Sequence, residues 1–184
     1  KPVIFLTAGL IGTQSAFWFN LPFNNKSEKE NLKQMPDKKR RAYINEKFKE
    51  FTAPQDSQAL SIEMVREMSP FVDFQSHTVD HPCLPKCTDE EARYQIESSK
   101  KRIEDIVGKP VISIAYPNGD FSSRDIQLVK KAGYKIGFSS KPGFNHRSSD
   151  SYSLKRLSIN DTDNYNEFIL RISGVWAFLK KFKS

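Results

Sequence analysis

The stretch FQSHTVDHPCLP, Phe74 to Pro85, sets two of the chain's three histidines, His77 and His81, four residues apart. Both cysteines, Cys83 and Cys87, lie within it or just beyond it. Before the histidines, FVDFQ (71–75) reads as a short strand. After them, Thr88-Asp89-Glu90-Glu91 spells a capping box, in which a Thr hydroxyl and a Glu carboxylate reciprocally satisfy free backbone N–H groups. The box opens a helix with Ala92, Ile96, Ile103 and Val107 facing inward, closed by Gly108. A strand, a polar loop and a helix in that order make a βα unit, with the histidines at the strand's end.

Reading outward, the same alternation recurs. VISIAY (111–116), YKIGF (134–138) and LKRLSI (154–159) have strand character, and Pro2–Thr7 forms a first strand ended by Ala8-Gly9. Ser61 caps a helix bearing Ile62, Val65 and Met68. Ser122 or Ser123 caps one bearing Ile126 and Val129 that stops at Gly133, and Asp163 starts a last helix through Phe168, Ile172, Val175, Trp176 and Leu179. GTQSAFWFNLPFNN reads as a loop or short helix. This spacing predicts an α/β fold with a parallel sheet or barrel. Reactive side chains in such folds collect where strands end. Two adjacent strands then deliver His77 and His81 together with Pro117-Asn118-Gly119 to one rim.

The chain of 184 residues has room for one well-buried core, so 1–184 is expected to be a single domain. No apolar run approaches the roughly 20 residues that span a bilayer. The net charge of +7 is concentrated in two places. Residues 26–50 hold nine Lys or Arg against five Asp or Glu, and residues 180–184 add three Lys. The stretch 26–51 has weak helical periodicity (Leu32, Tyr43, Ile44, Phe48, Phe51) interrupted at Pro36, and reads as an excursion, a pair of helices outside the main fold. A basic helix and tail of this kind fit a solvated surface, an anionic polymer or a nucleic acid. The opening Lys1-Pro2-Val3-Ile4 carries no initiator Met, and the expectation is that further sequence precedes it.

The H-x-x-x-H spacing can direct two imidazoles to one divalent ion, or it can be two surface residues with no shared task. Zinc takes three protein ligands in catalytic sites and four in structural ones. Cys83 and Cys87 complete a four-ligand set on paper, although structural sites usually draw their ligand pairs from separated segments. A third ligand from elsewhere, with both cysteines as free thiols, is the preferred reading. Asp80 either orients a ring or faces water. Phe17, Trp18 and Phe19 either stack on a ligand or belong to the core.

SHTVDHPCL, followed by DEEARYQIESSKKRIEDIVGKPVISIAYPNGDF and VKKAGYKIGFSS, resembles the polysaccharide deacetylases, the NodB-homology domain of carbohydrate esterase family four. FLTAGLIGTQSAFWF, LSIEMVREMS and LKRLSIND fit the same pattern, which covers most of the chain outside 26–50. The resemblance implies a distorted, incomplete (β/α) barrel lacking its first strand here, and metal-dependent hydrolysis of N-acetyl groups from a sugar polymer or oligomer. It implies one divalent ion held by His77 and His81, zinc first, with cobalt, nickel or magnesium also admissible. It further implies an oxyanion held by the Asn118 backbone N–H, and substrate contacts at Tyr116, Pro117 and Trp18. The setting it implies is a bacterial cell envelope or the extracellular space.

The family's aspartate pair, base and third ligand, lies in a T-F-D-D-like motif at the end of its first strand. No Asp precedes Asp37 here and no such motif occurs, so this stretch alone is expected to be inactive. Ala115 stands where many members place an Arg, and no L-x-H segment supplies the late general acid, leaving His146 as the candidate. Two alternatives stand beside the hydrolase: a non-catalytic carbohydrate-binding relative without the aspartates, and a basic nucleic-acid-binding module.

Overall fold

The computed structural model describes residues 1–51, 59–159 and 164–175. Their strands are β1 (Val3–Leu6), β2 (Asp73–Ser76), β3 (Ser113–Ala115), β4 (Ile136–Pro142) and β5 (Leu154–Arg156). They form one sheet in the order β1-β2-β3-β4-β5, parallel throughout. Sequential order in a parallel sheet is the strand arrangement of a (β/α) barrel. Among the described residues β1 and β5 do not pair, so the barrel is incomplete rather than closed.

The helices are α1 (Lys26–Gln34), α2 (Asp37–Lys47), α3 (Ile62–Met68), α4 (Asp89–Val107), α5 (Ser123–Lys131) and α6 (Tyr165–Ile172), with 3-10 turns at Ala8–Leu10 and Trp18–Asn20. Local chemistry sets their ends. Ser61 accepts from the Met64 N–H, and Thr88 with Glu91 and Ser122 with Asp125 form reciprocal capping boxes. Gly108 ends α4 at φ 66°, a conformation that costs glycine nothing sterically. None of the described helices is long and apolar enough to cross a membrane. The expected start of the last helix at Asp163, and its continuation through Trp176 and Leu179, lie outside the described residues; Asn164 caps α6.

Along α4 the buried face is Ala92, Gln95, Ile96, Ser99, Ile103 and Ile106. It packs over β2 with Phe74, Ile114, Val65 and Val111 in one core. Each isoleucine buried fully in this way contributes roughly 1.5–3 kcal/mol relative to exposure.

Several strand bounds shift by a few residues, and two differences from the sequence reading have a clear physical cause. Strand three covers Ser113–Ala115 rather than 111–116, because side chains take over its first ladder positions. The Gln75 amide oxygen accepts from the N–H groups of Ile112 (2.9 Å) and Ser113 (2.7 Å), and Glu104 accepts from that of Val111 (2.9 Å). In α2 the buried residues are not its apolar ones but Asp37 and Arg40, an ion pair one turn apart under the Trp18 ring. Other cations of the excursion also bond to acids within it, Lys33 to Glu30 and Lys47 to Glu28, so part of the local excess of positive charge is neutralised.

Candidate metal and oxyanion site

His77 follows β2 directly, and its N–H bonds the Leu6 carbonyl (2.8 Å), continuing the parallel ladder for one more residue. Its Nδ1 lies 2.7 Å from the Ala115 carbonyl oxygen at the end of β3. A carbonyl only accepts, so Nδ1 carries the hydrogen and Nε2 is the nitrogen with a free lone pair.

The chain then turns back on itself. Thr78 and His81 both adopt left-handed backbone conformations, φ 67° and 55°. For non-glycine residues such values cost energy and persist where the surroundings over-determine them. The Thr78 hydroxyl accepts from the His81 N–H (3.2 Å), and the Thr78 and Val79 carbonyls accept from the N–H groups of Ala8 and Gly9 (2.9 and 2.8 Å). As a result the His81 ring comes to 4.8 Å from the His77 ring, edge to face.

His81 is buried, and Phe19 (4.6 Å) and Phe17 (5.7 Å) pack on its ring. Its Nδ1 is buried with no hydrogen-bond partner among the described residues. Burial, then the charge of His77 and of Arg40, push its pKa down to about 4. His77 is also lowered, by burial first and by Arg156, against the opposing pull of the Ala115 carbonyl. Both imidazoles are therefore neutral at neutral pH, the form that binds a metal.

Two neutral imidazoles at this separation, one with its outer nitrogen fixed by a backbone carbonyl and the other with an orphaned buried nitrogen, fit two positions in the shell of a divalent ion. They do not complete that shell. Among the described residues no group of three or more His, Cys, Asp or Glu side chains is placed to hold a metal. The four-ligand arrangement with Cys83 and Cys87 is accordingly not formed. Both are buried free thiols, and burial raises the pKa of each, that of Cys87 to about 11.

Beside the pair, β3 runs into Tyr116-Pro117-Asn118-Gly119. Asn118 has φ 57°, and its amide Nδ2 reaches the Cys83 sulfur (3.5 Å), tying this loop to the histidine loop. The Gly119 and Asp120 N–H groups bond the Tyr116 and Pro117 carbonyls, and no acceptor is found for the intervening Asn118 N–H among the described residues. Tyr116 is fully buried, its hydroxyl donating to the Tyr152 carbonyl (2.9 Å). The Tyr116 side chain, expected from the resemblance to touch substrate, is thus packed into the core.

Trp18 donates its indole N–H to the His81 carbonyl (3.1 Å) and lays its ring over the Arg40 guanidinium (5.0 Å), so it braces the site. The Asp80 carboxylate accepts from Gln95 and Arg41 rather than from either imidazole. His146 is exposed on the loop after β4, with no contact to His77 or His81 among the described residues. A cleft of about 730 Å³ opens beside His77, lined by Phe5, Thr7, Leu10, Phe17 and Leu60 among others.

The sequence reading missed Gln95, although a polar residue on the apolar stripe of α4 was a visible signal. Asp37 and Arg40 gave no such signal, since charges in a charged stretch look solvated.

Comparison with known proteins matches residues 13–137 to the model of the polysaccharide deacetylase family. The YxkH protein of Bacillus subtilis is 28% identical over 101 residues, 54% of this chain and 36% of that protein. A polysaccharide deacetylase of Bacillus cereus, BC0361, superposes with a TM-score of 0.57 at 29% identity, covering 75% of this chain and 48% of the other. The Streptococcus pyogenes deacetylase PplD shares the fold, with a TM-score of 0.59 at 24% identity over 64% of this chain and 52% of its own. The chain thus spans between about a third and a half of the length of these relatives.

Proposed function

The chain belongs to the polysaccharide deacetylase family, and on that premise we propose that it serves the hydrolysis of N-acetyl groups on a polysaccharide or oligosaccharide. The observation that carries this reading is the meeting of His77 and His81 at 4.8 Å, on the rim where the Asn118 loop also ends.

In this assignment His77 through Nε2, and His81, hold one divalent ion, zinc being the first candidate and cobalt, nickel or magnesium the others. When bound, such an ion supplies Lewis acidity and lowers the pKa of a water molecule. The Ala115 carbonyl keeps the His77 ring in its orientation and tautomer. Phe17 and Phe19 exclude water from one side of His81, which keeps that ring neutral. The Asn118 N–H, free of an internal acceptor and braced by the Ser140 hydroxyl on its own carbonyl (3.0 Å), donates to the developing oxyanion. The Pro117 and Tyr116 backbone shapes the wall beside it. His146 is the candidate this chain offers for protonating the departing amine, and the third metal ligand and the base come from outside its described residues.

The test is acetate release from N-acetylglucosamine oligomers by the whole protein, with and without a chelator. The expected result is release that a chelator abolishes, that zinc restores, and that His77→Ala and His81→Ala remove. Release indifferent to the chelator and to both substitutions overturns the assignment. Oligomer binding without any release assigns a carbohydrate-binding member of the family instead.

A further inference from the structure

Between the two histidines the backbone passes through Thr78, Val79 and Asp80, with a left-handed residue at each end of the turn. The N–H groups of Val79 and Asp80 lie outside the sheet's ladder and need acceptors, because a buried unpaired donor costs roughly 1–3 kcal/mol. A single side chain serves both. Gln95, in the second turn of α4 and 1% exposed, accepts from the Val79 N–H and the Asp80 N–H through its Oε1, at 3.0 Å each. Its Nε2 donates to the Asp80 carboxylate at 2.9 Å. The amide's orientation follows from the chemistry: the atom facing two N–H groups must be oxygen, so the NH2 faces the carboxylate.

The neighbours of Gln95 on that stripe are Ala92, Ile96 and Ser99, all fully buried, and the Ser99 hydroxyl donates to the Ile96 carbonyl one turn back (3.0 Å). All three side-chain hydrogen bonds of Gln95 go to the Val79–Asp80 turn, so its polarity answers to the turn. From Asp80 the connection continues to Arg41 on α2 (3.0 Å), an exposed pair of small energetic weight.

We propose that Gln95 is a positioning residue for the histidine pair. By closing the Val79–Asp80 turn onto α4, it fixes the angle at which the chain re-enters at His81 and so brings that ring to His77. This rests on the metal-binding assignment of the pair above, and the experiment separates the two.

Three variants of the whole protein test it: Gln95→Met, Gln95→Glu, and Gln95→Glu combined with Asp80→Asn. Glutamate at 95 keeps an acceptor for the two N–H groups but sets a carboxylate against Asp80. Asparagine at 80 then restores the missing donor with the polarity reversed. Cobalt(II) titration and the thermal midpoint are read for each. The expected result is cobalt affinity lowered about 10–100-fold in both single variants, as for other groups that orient a ligand, and largely regained in the double variant.

Unchanged cobalt affinity in Gln95→Met overturns the proposal. So does a double variant whose thermal midpoint returns to that of the parent while its cobalt affinity does not. Should Gln95→Met fail to fold, the swapped pair alone decides by the same criterion. If the parent whole protein takes up no cobalt, the metal assignment falls, and amide hydrogen exchange at Val79 and Asp80 judges the clamp. Slow exchange in the parent and the double variant, with fast exchange in Gln95→Glu, supports it; equal rates overturn it.

Discussion

His77 Nδ1 and the Ala115 carbonyl oxygen, 2.7 Å apart, join the end of β2 to the end of β3. Through this bond the histidine loop and the Asn118 loop share a reference point. A displacement of one strand end therefore moves both the His77 ring and the neighbouring Asn118 amide.

Replacing His77 by Ala removes one nitrogen of the pair while leaving the ladder bond from its backbone N–H in place. Cobalt or zinc affinity is expected to fall by more than about 100-fold, since losing a ligand costs more than losing a group that orients one. The thermal midpoint should change little. Full retention of metal binding in a competition titration with a chromophoric chelator would show the pairing to be incidental.

Stability of the metal-free chain should depend on pH through His81. The unfolded chain takes up this proton near the ordinary value of 6.5, whereas the folded chain resists until about 4. Between these values the unfolded state binds more protons, so folding stability is complete above about 6.5 and declines as the pH falls towards 4. The decline is on the order of 3 kcal/mol from this group alone. Urea unfolding across that range measures it. His81→Asn, a residue that tolerates positive φ, should flatten the curve.

Gly119 has φ 77°, and a Cβ there would overlap Ser140 on β4. Gly119→Ala therefore meets both backbone strain of about 1–3 kcal/mol and a steric conflict with a neighbouring strand. Chemical denaturation should show a loss of at least that size. The displaced loop should also lower acetate release in the whole protein, mainly through kcat, since the Asn118 N–H is assigned to the transition state.

The Asp37–Arg40 pair is almost fully buried beneath Trp18. Arg40→Met alone leaves a buried carboxylate with a single partner, Arg41, and should cost roughly 3–5 kcal/mol. The double change Asp37→Leu with Arg40→Met should cost less than Arg40→Met by itself, because it removes the stranded charge as well. Thermal unfolding of the three proteins orders them.

Signals confined to a few neighbouring residues were the legible part of this fold. The caps at Ser61, Thr88 and Ser122, the break at Pro36 and the stop at Gly108 all stand where local chemistry puts them. The rim shared by His77, His81 and Asn118 followed from strand-helix alternation and parallel order. Strand ends were less legible, because Gln75 supplies β3's partners from a side chain 37 or 38 residues away. The burial of Arg40 and the reach of Gln95 into the turn depend in the same way on partners distant in sequence. Local pattern carries no record of them.

Because every strand runs the same way and follows its predecessor, each strand-to-helix connection emerges on the histidine side and each return connection on the other. The long connection from β1 to α3, which carries α1 and α2, thus adds its length beside the histidines without touching the register of the sheet. Such an arrangement lets the surface beside the histidines be enlarged by insertion at one end of the molecule without rebuilding the sheet. Shortening that connection between residues that keep the Asp37–Arg40 pair and the Trp18 bond to His81 should alter the surface beside the histidines and leave the strand register as it is.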